Sequence, residues 1–97
     1  MLDKLTIESF EPHVGTSFWL HEGTRTIELR LTRAAKVMES EAARLARTPF
    51  SLYFLGPVLL PQRIYRLTHE GFPEPLEIFL VPIARDVNGF THEAVFT

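Results

Sequence analysis

Apolar and polar residues alternate with period two along most of this chain. The clearest run is Thr24–Lys36, where Ile27, Leu29 and Leu31 alternate with Glu28, Arg30 and Thr32. One apolar face at period two marks a half-buried antiparallel strand. Just before it, Thr16–His21 sets Phe18 and Leu20 on one face and Trp19 on the other. Glu22-Gly23 is a tight turn, so these two runs should form a hairpin. Four more runs follow: Phe50–Leu55, Arg63–His69, Leu76–Ala84 and Phe90–Phe96. Three segments rich in Gly and Pro join them, and Asn88-Gly89 is a strong turn signal. Leu76–Ala84 is apolar on both faces, Ile78 and Leu80 against Phe79, Val81 and Ile83. Pro82 cannot donate to a ladder, so that half should meet an edge or a bulge.

Two segments break the pattern. Met1–Gly15 reads as a helical turn in preference to a strand. Thr6 is a good N-cap, Glu8 lies in the first turn and Gly15 can stop it. Phe10 and Val14, four apart, would share a face. Val37–Arg47 is rich in Ala, Glu, Arg and Leu, good helix formers, and Thr48-Pro49 closes it. It reads as a short exposed helix of two to three turns or a mobile crossover loop. The expectation is therefore a single mainly-β domain over residues 1–97. Its six strands form an antiparallel meander that closes into a small barrel or coiled sheet, with one short helix in the crossover. The predicted core is Phe18, Leu20, Ile27, Leu29, Leu31, Phe50, Leu52, Phe54, Leu67, Ile78, Leu80 and Phe96.

Composition narrows the function classes. A formal charge of −2 over 97 residues argues against non-specific nucleic-acid binding, which needs a basic surface. Cysteine is absent, which excludes disulfides, a thiolate nucleophile and Cys-based zinc sites. Met1–Phe10 carries two acids and no long apolar core, so no signal peptide is expected. The longest apolar runs, Val58–Leu60 and Ile78–Ile83, are too short to span a membrane. A cytoplasmic protein is the default.

The segments FSLYFLGP, LPQRIYRLTHE and LEIFLVPIARDVNGFTHEAVF resemble a family of small, uncharacterised, β-rich bacterial proteins, a domain of unknown function. SFEPHVGTSF is similar to that family's opening. The resemblance covers most of the chain except Lys36–Arg47, and its motifs are structural: turn residues and core alternation. The resemblance implies a gene often found beside phage-tail-collar-like genes, and with it an assembly or accessory role. His92 and Thr97 depart from the tyrosine and asparagine expected there, and the helix-like insert is unusual. The resemblance implies no catalytic residue.

Candidate chemistry is sparse. His-Glu occurs three times, at His21-Glu22, His69-Glu70 and His92-Glu93. Adjacent strand residues point to opposite faces, so no such pair can present both groups to one metal. Histidines four apart on a helix, the metalloprotease spacing, are absent. These histidines read as ordinary surface residues. No serine stands in a GxSxG elbow, and there is no Walker loop or GxGxxG. The Arg25, Arg30, Arg33, Lys36, Arg44 and Arg47 cluster, interrupted by Glu28, Glu39 and Glu41, reads as a solvated face. No catalytic, cofactor-binding or metal residue is assigned.

Contact surfaces are the better candidates. Three large apolar residues in a row are unusual in a loop, and Val58, Leu59 and Leu60 lie between Pro57 and Pro61. Leu59 or Leu60 plugs the end of the barrel, or the run meets a partner. Phe79 and Val81 on the outer face of the two-faced strand complete the partner-binding candidates. The first functional expectation is a non-enzymatic interaction or assembly module, with a protein partner or a second copy. The alternative is a small-ligand-binding barrel with Phe54, Tyr65 and Phe79 around a cavity. An undetected enzyme is the third.

Overall fold

Period-two alternation becomes six strands wrapped around one core. The structure is a computed structural model that describes residues 4–37 and 48–97. In chain order the strands are β1 (Ser17–Glu22), β2 (Arg25–Lys36), β3 (Phe50–Gly56), β4 (Arg63–Thr68), β5 (Leu76–Asp86) and β6 (Gly89–Phe96). They close into a barrel in the order β1-β2-β3-β6-β5-β4, every pairing antiparallel. The mainly-β antiparallel barrel is therefore the fold.

The strand order departs from a single meander. β1-β2-β3 and β4-β5-β6 are each meanders, but β6, not β4, lies beside β3. β3 and β4 stand three places apart in the ring by either route. Residues 57–62 carry the chain across one end of the barrel, with Leu60 turned inward there. β4 then closes the ring on β1 over three pairs, Trp19/Thr68, Leu20/Leu67 and His21/Arg66. β3 and β6 share seven, so the β1–β4 seam is the short one.

All twelve predicted core residues are buried. They line the inward positions of all six strands, and the Phe18 and Phe54 rings meet edge to face at 5.3 Å. Two bulges keep the phase. One shifts register between Leu31 and Arg33, so Thr32 and Arg33 both lie outside and Ala34 returns to the core. The other lies between Pro82 and Ala84, where the missing proline donor called for one. At the β5–β6 turn, Asn88 N–H donates to Asp86 Oδ1 at 2.8 Å. Gly89 follows with φ +135°, a region that favours glycine, and a Cβ there would strike the Gly56 carbonyl.

Both ends of the barrel are filled. The N-terminal segment forms a helical turn, α1 (Ile7–Phe10), continued by a 3-10 turn at Glu11–His13. Thr6 N–H donates to Ser9 Oγ at 3.1 Å, which starts the turn. Phe10 then sits over the end where β3 begins and β6 ends. Its ring lies 5.9 Å from Phe50, 5.5 Å from Phe96 and 5.1 Å from Phe72. Val14, expected on the same face, is exposed, because the 3-10 turn changes the helical phase. Leu60 fills the opposite end. The expected crossover helix at Val37–Arg47 falls on residues 38–47, outside those described. At its base Val37 N–H donates to Pro49 O at 2.9 Å.

Candidate interaction surface

A strand of a closed barrel needs apolar residues only on its inner side. β5 carries them on both, and the register shows what the outer ones meet. Ile64 of β4 pairs with Phe79 of β5. Val95 of β6 lies beside Phe79, and the three border one open groove of about 310 Å³ together with Glu77 and Thr97. Ile64 is 61% exposed, Phe79 47% and Val95 57%. Val81, the next outward residue on β5, is half-buried and faces Glu93. The result is an apolar stripe running across three strands. Its rim carries both signs of charge: Arg66 lies 3.9 Å from Glu77 on one side, and Tyr53 donates to Glu93 at 3.1 Å on the other.

The loop candidates divide. Val58 and Leu59 are exposed, but Leu60 is buried at the barrel end. Its N–H donates to His92 Nε2 at 3.0 Å, and the Tyr65 hydroxyl donates to Pro61 O at 2.6 Å. These bonds turn Leu60 inward, where it plugs the barrel end. The proposed ligand-binding aromatics do not surround one cavity. Phe54 and Tyr65 are buried inside the barrel, whereas Phe79 points out of it. A second exposed aromatic, Trp19, stands between Glu28 on β2 and Thr68 on β4, away from the stripe.

The histidines are not all surface residues. His92 is fully buried and His69 nearly so. The signal for His92 was its phase, since it alternates inward with Ala94 and Phe96. His69 Nδ1 accepts from Gly71 N–H at 2.8 Å, so its ring proton lies on Nε2 and is donated to Thr16 Oγ1 at 2.8 Å. Thr16 in turn donates to His13 O at 2.6 Å. This chain extends the short β1–β4 seam beyond its last backbone pair. Burial, helped by nearby His13, pushes the His69 pKa below the ordinary histidine value. His21 instead lies exposed against Thr68 Oγ1 at 2.7 Å. Among the described residues no three His, Asp or Glu side chains gather as a metal-binding group. No helix among them is long and apolar enough to cross a membrane.

The chain belongs to the family described as Domain of unknown function (DUF6916), which matches residues 5–96. No curated protein and no solved structure matches it.

Proposed function

We propose that this domain is a non-enzymatic protein-interaction module, an assembly accessory acting in the cytoplasm. It docks its partner through the outer face of β4, β5 and β6. The observation that supports this reading is the continuous Ile64–Phe79–Val95 stripe on a barrel whose own core is complete without it. Contiguous exposed apolar surface rimmed by polar groups is the usual mark of a docking site. A buried core of such a patch supplies binding, and the mixed-charge rim sets orientation. The partner class we put forward is a structural protein of a phage-tail-like assembly. That assignment rests on the sequence resemblance alone.

Phe79→Asp with Val95→Asp tests the face. Both residues are exposed, so the variant should keep its fold within about 0.5 kcal/mol per site. Light scattering first separates a second copy from a foreign partner: a wild type that stays monomeric at high concentration removes self-association. Affinity capture from the native host should then recover a partner with the wild type, at least tenfold depleted with the double variant. Equal recovery by both would clear this face of any role.

A further inference from the structure

We infer that His92 is a proton-operated latch on the β3–β4 loop, holding the barrel end shut while neutral and freeing the loop once doubly protonated. His92 lies within the barrel, in register with Phe54 on β3 and Pro82 on β5, and is 0% exposed. Its Nε2 accepts the Leu60 N–H. A neutral imidazole that accepts at Nε2 carries its proton at Nδ1. That Nδ1 makes no hydrogen bond of ordinary geometry among the described residues, although the Phe54 and Phe90 carbonyls lie near the ring. A buried donor without an acceptor is unfavourable. The site tolerates it while Nε2 fixes the loop.

The loop is held at two anchors. At one side Gly56 packs directly against Leu29, with no room for a Cβ. At the other, Tyr65 grips the Pro61 carbonyl. Between them the bond to His92 holds Leu60 down. A second ring proton makes Nε2 a donor, so two N–H groups face each other and the bond is lost. The cation would also lie in an apolar interior. β3 and the loop carry no charged residue, and Glu77, Arg85 and Asp86 of β5 are exposed. Glu93 faces outward to Tyr53, and the Tyr65 hydroxyl is spent on Pro61. Only the carbonyls of Phe54 and Phe90 favour the charged ring, and burial outweighs them, so the pKa lies below the ordinary histidine value. Opening lets His92 charge freely. The latch is therefore fully engaged above pH ~6.5 and weakens as pH falls below it. Release would add Leu60 to the exposed Val58 and Leu59, presenting three apolar residues in a row.

Amide exchange of the full chain, followed by NMR from pH 7.5 to 5, reads this directly. The protection factor of the Leu60 amide, corrected for intrinsic exchange, should fall with pH below ~6.5, at a rate of up to about tenfold per pH unit, the limit for one linked proton. It should stay below that of the Leu31 amide throughout, since the loop opens without the barrel unfolding. In His92→Gln the amide oxygen can still accept from Leu60 but cannot titrate, so Leu60 should stay protected and lose its pH dependence. A flat profile in the wild type, or the same slope in His92→Gln, would overturn the latch. If His92→Gln fails to fold, the wild-type ring nitrogen shifts decide. Titration of His92 must track deprotection of Leu60, and titration with Leu60 still protected refutes the proposal.

Discussion

Replacing Phe54 with alanine is expected to cost about 3–5 kcal/mol of unfolding free energy. Phe54 is fully buried, pairs with Leu31 and His92 across its two ladders and meets Phe18 edge to face. Strands on both sides fix its surroundings, so the cavity left by truncation cannot collapse easily. A domain this size has roughly 5–15 kcal/mol in total, so the variant should be close to unfolded at ambient temperature. Urea unfolding monitored through the single tryptophan measures it. Phe79→Ala, on the outside of the same barrel, should change stability by less than about 0.5 kcal/mol. Similar losses at both positions would mean that the inner and outer faces are wrongly assigned.

Phe10→Ala should cost nearly as much, again about 3–5 kcal/mol. Phe10, with Ile7, is buried from a four-residue helical turn, and such a turn has little stability of its own. Its position is set by three phenylalanines, Phe50, Phe72 and Phe96, with Phe50 and Phe96 stacked at 4.7 Å beneath it. Losing the ring uncovers that end of the barrel and frees the N-terminal segment. Unfolding with urea should show a lower midpoint with a nearly unchanged slope. A loss below about 0.5 kcal/mol would show that the N-terminal turn lies on the barrel without sealing it.

The six strands and the inward residues were legible because alternation reports directly which side chains face the core. Ile27, Leu29 and Leu31 needed no structure to place. Strand order was not legible in the same way, since alternation fixes faces and says nothing of neighbours. Pro82 announced its bulge through a missing donor, whereas the bulge after Leu31 involves residues that any strand accepts. On the candidate face, Phe79 stood out because β5 is apolar on both sides. Ile64 and Val95 did not, because each is a lone apolar residue on a polar outer face; the ladder register sets Ile64 beside Phe79, and the shared groove brings Val95 to it. His92 was hidden by its chemistry: a polar residue at an inward position reads as an exception until its partner, the Leu60 N–H, is in place.

Hydroxyl-radical footprinting of the chain, alone and bound to the partner it captures, tests the docking face most directly. Ile64, Phe79 and Val95 should label readily in the free chain and be strongly protected in the complex. Trp19, exposed on β1 away from the stripe, should label equally in both. Protection of Trp19 with Phe79 and Val95 still labelled would place the partner elsewhere and contradict the proposed function.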